Sequence, residues 1–193
     1  FVFVASLVSA YVIITRIAGL DREATKRILS ESATFLLGVG GIMCVGFALW
    51  MPEFLAWLYP AFVESPRHAE FVLLSRLLLV QPILLGLSSL LASVTQVHRR
   101  FALFAMSPVL YNLGIILGAV VFYPYWGLVG IGAGVVLGSL AYLAVNIPVL
   151  VQAGVMPRFS VPRFATMLPI IRDSVPRSLA LGAGSVTALF LTA

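Results

Sequence analysis

One uninterrupted apolar stretch decides the fold. It covers residues 101–157, contains neither a charged residue nor a histidine, and reads FALFAMSPVLYNLGIILGAVVFYPYWGLVGIGAGVVLGSLAYLAVNIPVLVQAGVMP. A transmembrane helix needs about 20 apolar residues, so this stretch is too long for one helix and long enough for two. The group Tyr123-Pro124-Tyr125-Trp126-Gly127 divides it, because proline and glycine favour turns and aromatic residues favour the membrane interface. We therefore predict two spans, about 101–122 and 127–152.

Four further apolar windows extend this pattern along the chain. They predict spans at about 1–15, 32–52, 71–97 and 174–193. The expected fold is an all-α integral membrane protein with six transmembrane helices in a single bundle over residues 1–193. The first and last windows are short and lie at the chain ends. We therefore expect both to be truncated and the chain to be a fragment of a larger carrier.

The composition agrees with a membrane protein. Hydrophobic residues make up 61% of the chain, charged residues make up 10%, and the mean hydropathy is +1.09. A soluble domain has about 45–50% apolar and about 25% charged residues. These values exclude a soluble globular domain and, because disorder requires low hydrophobicity, a disordered chain. The only cysteine, Cys44, permits no internal disulfide.

The positions of the basic residues predict the orientation. Ten of the twelve lysines and arginines lie in three predicted loops, 16–31, 98–100 and 153–177. Because short loops rich in Lys and Arg remain in the cytoplasm, we predict that these three loops are cytoplasmic. The basic residues are spread over separate loops rather than forming one basic face, so we expect no nucleic acid partner.

Polar and glycine residues suggest how the ends and the spans are organised. Asp21 is a candidate cap for the second helix, and residues 53–70 form the longest predicted outer loop. Glycines recur at four-residue spacing in the two central spans, at Gly114, Gly118, Gly130, Gly134 and Gly138. This spacing allows close approach of helix backbones and predicts tight packing. A sliding surface between the helices of a moving carrier is the alternative.

Three arginines are candidates for contact with a substrate or with lipid headgroups. Arg76 lies about four residues into the third span, where it either snorkels to the headgroups or contacts an anionic headgroup at the outer mouth. Arg99 and Arg100 are predicted to anchor their loop at the cytoplasmic face. Arg177, at the start of the last span, is either an anchor or an anion contact.

Polar residues and prolines inside the spans are the remaining candidates. Asn112 follows Pro108 by four residues on the same helix face, where it either bonds to a neighbouring helix or lines a hydrated path. Ser185 is a candidate for the same path. Pro82, Pro108 and Pro148 are predicted to kink their helices, because proline frees a carbonyl group.

We expect no enzymatic activity. The predicted span interiors contain no Asp, Glu or His, and no pair of carboxylates, His-Cys cluster or glycine-rich phosphate loop is present. We therefore expect no catalytic residues, no metal and no cofactor.

Seven short motifs occur in order along the chain: RLLLVQP at 76–82, LASVTQVHRRF at 91–101 and SPVLYNLGII at 107–116, with DREA at 21–24, NIP at 146–148, MPRF at 156–159 and PRSLALG at 176–182. These motifs resemble those of the MurJ/MviN lipid II flippase family. Each motif is moderately specific, and their order and spacing together are more specific. The resemblance covers nearly the whole chain.

The resemblance implies helices two to seven of a fourteen-helix carrier in the multidrug/oligosaccharidyl-lipid/polysaccharide exporter superfamily. It implies a flippase of the bacterial inner membrane, which moves the undecaprenyl-pyrophosphate-linked peptidoglycan precursor to the outer leaflet by alternating access. The implied partners are lipid II or a similar polyprenyl-pyrophosphate glycolipid, the bilayer and cell-wall synthesis enzymes. An exporter of another polyprenyl-linked glycan or of drugs, and a non-transporting membrane scaffold, are the alternatives.

Overall fold

The computed structural model describes residues 10–60, 63, 65–163 and 166–174. These residues form helices joined by turns and by one longer irregular segment, with no strand among them. The helices in chain order are α1 (Ala10–Ile17), α2 (Arg22–Leu58), α3 (His68–Leu78), α4 (Gln81–Val97), α5 (Phe101–Leu117), a π-helical turn (Gly118–Phe122), α6 (Tyr123–Trp126), α7 (Leu128–Ala144), α8 (Ile147–Ala153) and α9 (166–174).

Four helical stretches of the described chain are long and apolar enough to cross a membrane. They are Arg22–Leu58, His68–Val97, Phe101–Trp126 and Leu128–Ala153. The all-helical membrane fold is therefore confirmed for the described residues. The predicted spans 1–15 and 174–193 lie mostly or almost entirely outside those residues, so the count of six spans stays a prediction.

Helix α2 begins earlier than predicted. The expectation of a loop over 16–31 was wrong for residues 22–31, which are helical. The cause is a cap at the start of the helix, where the Asp21 carboxylate accepts a hydrogen bond from the Ala24 amide at 3.0 Å. The cap that we predicted at Asp21 is confirmed, and it lets the charged first turns of the helix extend beyond the apolar window.

The predicted outer loop over 53–70 is also shorter than expected. Helix α2 continues through Pro52 and ends at Leu58. With 37 residues it is about 55 Å long, well above the thickness of about 30 Å that it must cross. A window free of charge therefore located the apolar part of this helix and not its ends.

The boundaries of the other spans differ from the predicted ones in a similar way. The third span begins at His68 rather than at 71, and the helix of the fourth continues beyond 122 to Trp126. Pro124 causes no break, because it occupies the first turn of α6, where its missing N–H is not required. The helix ends at Gly127, which has φ +57° and so adopts a conformation that favours glycine.

Glycines on α5, on the π-helical turn and on α7 bring these segments into backbone contact. We call this contact the glycine seam, and its residues are Gly114, Gly118, Gly130, Gly134 and Gly138. A Cβ atom on Gly114 would overlap the Cα atom of Gly138, and one on Gly118 would lie 2.8 Å from the Cα atom of Gly134. The predicted tight packing is therefore confirmed.

Two clusters of buried apolar residues complete the packing. The larger joins α1, α2, α4, α8 and α9 through residues that include Ile13, Leu29, Leu90, Leu150 and Ile170. The smaller joins α2 to α3 through Met51, Leu55 and Val72. Between these clusters α2 exposes large apolar side chains such as Ile42, which is 77% exposed and suited to contact with lipid tails or other apolar segments.

The glycine seam predicts a position-dependent cost of adding one methyl group. The variant Gly134→Ala should lower the free energy of unfolding by about 1–3 kcal/mol, because its Cβ meets backbone atoms that cannot move aside. The control Gly46→Ala should not lower stability, since no atom lies within 4 Å of its Cβ. Thermal unfolding of the purified protein in detergent compares the two, and equal stability would contradict the seam.

Candidate functional site

One end of the bundle gathers the basic residues. There α1, α4 and α8 end and α2 and α5 begin, so Arg16, Arg22, Lys26, Arg27, Arg99 and Arg100 lie at the same end. We call it the basic end. Arg16 and Asp173 form an ion pair at 2.6 Å that joins α1 to α9. Both side chains are partly exposed, so this pair contributes little to stability.

A segment without helix or strand, residues 155–163, packs against α2 at the basic end. We call this segment the strap. Its amides donate hydrogen bonds to polar side chains of α2: Arg158 to the Ser30 hydroxyl at 2.9 Å and Ser160 to the Thr34 hydroxyl at 3.2 Å. The strap forms no helix or strand, so these side chains satisfy backbone groups that have no partner in secondary structure.

Glu31 is the buried carboxylate of this contact. Its side chain is 1% exposed, and Oε2 accepts a hydrogen bond from the Arg163 amide at 3.3 Å. The sequence analysis missed Glu31, because the predicted span began one residue later. The polar run Ser30-Glu31-Ser32 at the start of the apolar window was the available signal, since a carboxylate buried at a helix surface needs a hydrogen-bond donor.

A buried network joins three spans near the basic end. We call Thr95, Ser107 and Asn146 the polar triad, and each side chain is fully buried. Thr95 donates to the Asn146 carbonyl oxygen at 2.8 Å, and the Asn146 amide donates to Ser107 at 3.3 Å and to the Tyr142 carbonyl at 2.9 Å. The triad thus connects α4, α5 and the turn between α7 and α8.

The turn between α4 and α5 places two arginines next to the triad. The Arg100 amide donates to the Thr95 carbonyl at 3.0 Å, which closes the end of α4. Arg99 has φ +54°, a conformation that costs a residue other than glycine about 1 kcal/mol or more. The predicted anchors Arg99 and Arg100 therefore lie in a tight, fixed turn.

Arg76 lies at the other end of the bundle and satisfies a backbone group. Its Nε donates to the Ala48 carbonyl at 2.8 Å. That carbonyl would normally accept from the residue four positions later, which is Pro52 and has no N–H. The guanidinium group of Arg76 thus replaces the hydrogen bond that Pro52 removes from α2.

Glu70 caps α7 at this same end. Its Oε1 accepts a hydrogen bond from the Leu128 amide at 2.6 Å, where an anionic group also stabilises the helix dipole. A Cβ atom on Gly127 would displace the same oxygen, and the φ of +57° also favours glycine at this position.

The other predicted site residues are not brought together. Asn112 is exposed on α5, whereas Ser107 and Asn146 form the buried contact. Pro82 and Pro148 each lie in the first turn of a helix, after breaks at 79–80 and 145–146, and α5 is continuous through Pro108.

Arg177 and Ser185 lie outside the described residues. Within the described residues, no group of three metal-binding side chains occurs.

Comparison with known protein families decides the assignment. The family model of the lipid II flippase MurJ matches residues 2–191.

The chain belongs to the lipid II flippase MurJ family. This assignment confirms the resemblance and accounts for the apolar helices, because members of this family are membrane transport proteins of peptidoglycan biosynthesis. No individual curated protein matches the chain significantly, so the family match carries the assignment.

Two asparagines allow a matched test of the polar triad. The variant Asn146→Ala should lower the free energy of unfolding by about 1–3 kcal/mol, because it leaves the buried Thr95 hydroxyl without its acceptor and removes the donor to Ser107. The control Asn112→Ala, on an exposed face of α5, should change stability by less than about 0.5 kcal/mol. Chemical unfolding in detergent measures both, and the triad is refuted if the two variants are equally stable.

The contact between Arg76 and the Ala48 carbonyl predicts coupling to Pro52. The variant Arg76→Ala should destabilise the protein by about 1 kcal/mol, a usual value for a hydrogen bond in a membrane protein. In a Pro52→Ala background the new N–H can bond to Ala48, so Arg76→Ala should then have almost no effect. A double-mutant cycle on unfolding measures the coupling. An additive result would mean that Arg76 does not perform this role.

Proposed function

We propose that this chain forms part of a carrier that moves lipid II from the cytoplasmic to the outer leaflet of the bacterial inner membrane. The observation that carries the proposal is the family match over residues 2–191. The glycine seam and the polar triad support it, because they join four helical segments into a unit that can move as one body. Alternating access requires such a unit to rock against a second one around the substrate.

The proposal includes the orientation of the bundle in the membrane. We place the basic end in the cytoplasm, since loops rich in arginine and lysine are retained there. On this orientation the opposite end, with Trp57 and Trp126, lies at the outer interface, where exposed tryptophans are favoured. The pyrophosphate-linked precursor would then meet a cationic surface at the leaflet where it is made.

The proposed transport requires only that the protein bind the precursor and move it, without covalent chemistry. A pyrophosphate and its sugars cannot enter hydrocarbon without polar partners. Arginine recognises phosphate oxygens through its fork of donors. Asn112, exposed on α5, is the described residue that we propose for the path, and Arg177 and Ser185 stay predictions for its continuation.

Reconstitution of the full-length protein that contains this sequence tests the function. Liposomes are loaded with fluorescent lipid II, and protection from an external quencher reports its movement between leaflets. We expect movement of lipid II, with competition by undecaprenyl pyrophosphate and none by a lipophilic cation. Transport of the cation instead would identify a drug exporter. No transport by a protein that still rescues growth of depleted cells would favour the scaffold.

A further inference from the structure

The basic end contains a cavity that is distinct from the surfaces considered above. Its volume is about 480 Å³, and it opens between the end of α1, the start of α2, the α4–α5 turn and α8. The floor is apolar and buried, with Val94, Val149 and Val155 among its residues. Cavities that bind small ligands have volumes of about 300–1,000 Å³ and combine such a floor with a few polar groups.

The charged side chains that line this cavity are arginines. Arg22 and Arg100 line it together with His98, Thr25 and Gln152, and no carboxylate is among the lining residues. The acidic residues nearest in sequence, Asp21 and Glu23, line a separate cavity of about 570 Å³ together with Lys26, Arg27 and Arg158. Among the described residues, neither Arg22 nor Arg100 forms an ion pair.

Hydrogen bonds within the α4–α5 turn hold the cationic residues of the cavity in place. The Arg100 amide bonds to the carbonyl of Thr95, whose hydroxyl belongs to the buried polar triad. His98 is held by its Nδ1, which donates to the Val94 carbonyl at 3.0 Å and leaves Nε2 for other partners. Arg99, between them, keeps a positive φ that glycine would adopt at lower cost. Backbone strain of this kind concentrates at sites where side chains must be positioned.

We propose that this cavity binds a phosphate ester group, with Arg22 and Arg100 as its cationic ligands. Guanidinium groups bind phosphate oxygens through paired, charge-assisted hydrogen bonds, and two of them can neutralise one phosphate. His98 and Gln152 supply further hydrogen-bonding groups at the rim. The site does not depend on the transport proposal, because every residue named lies within this one bundle.

The phosphate can come from a membrane lipid or from solution. The apolar floor favours a lipid, because it can hold the glycerol and the first methylene groups below a headgroup. A soluble phosphate would use the same arginines and leave the floor empty. Both sources share the chemistry of the site, and they are separated by presenting each one alone.

The test uses the full-length protein in nanodiscs and two probes. One set contains phosphatidylcholine with increasing phosphatidylglycerol, and occupancy is counted by native mass spectrometry. The other set contains phosphatidylcholine alone and is titrated with inorganic phosphate in a calorimeter.

Arg100→Gln is paired with the control Arg99→Gln, which removes the same charge from the same turn but does not line the cavity. Arg22→Gln is paired with Arg27→Gln, which faces the neighbouring cavity.

We expect Arg100→Gln and Arg22→Gln each to weaken binding of one probe about tenfold, the usual effect of losing one charged hydrogen bond. The controls Arg99→Gln and Arg27→Gln should stay within about twofold of the wild type. Binding of phosphatidylglycerol alone assigns a lipid, and binding of inorganic phosphate assigns a soluble ligand.

The proposal is overturned if neither probe binds, or if all four variants weaken binding equally, since general loop charge would then explain it. Should Arg100→Gln fail to fold, Arg100→Lys provides the folded comparison. It retains the charge and loses the fork, so it should bind more weakly than wild type but more tightly than a protein without both arginines.

Discussion

The structure depends on the direct backbone contact between α5 and α7. Within a bilayer the hydrophobic effect does not hold helices together, so close van der Waals contact and hydrogen bonds must do so. The glycine seam provides that contact between Gly114 and Gly118 on one side and the glycines of α7 on the other, at positions where a single methyl group would overlap backbone atoms. The neighbouring helices α3 and α4 pack against the same α7.

Buried polar contacts position the helices and the strap that the glycine seam does not join. The polar triad ties α4 to this pair at one end, and the Glu70 carboxylate holds the start of α7 at the other. The strap adds a second set, in which side chains of α2 satisfy backbone amides of a segment without secondary structure. Each contact is worth little in water and more where no water can replace it. Together these contacts connect the helices and the strap in the described part of the chain.

The sequence predicted the parts of this structure that depend on local pattern. Apolar windows located the spans, and the four-residue spacing of glycine located the seam. Helix ends were predicted poorly, because Asp21 and Pro52 allow α2 to extend beyond its apolar window in both directions. Glu31 and the pairing of Arg76 with the Ala48 carbonyl were not predictable, because each partner is brought close only by the fold. Asn112 and Asn146 show the same limit: the sequence contains both, and only packing decides which is buried.

In the proposed transport cycle the glycine seam is a rigid joint, so α5 and α7 move together. The most direct measurement locks it covalently. One cysteine on α5 and one on α7, flanking the glycine contacts, are oxidised to a disulfide in full-length protein whose Cys44 is replaced by serine. Lipid II movement is then measured in liposomes before and after reduction. A rigid joint predicts the same transport rate in both states. Transport that stops on oxidation and returns on reduction would show that the helices slide along the seam and would contradict it.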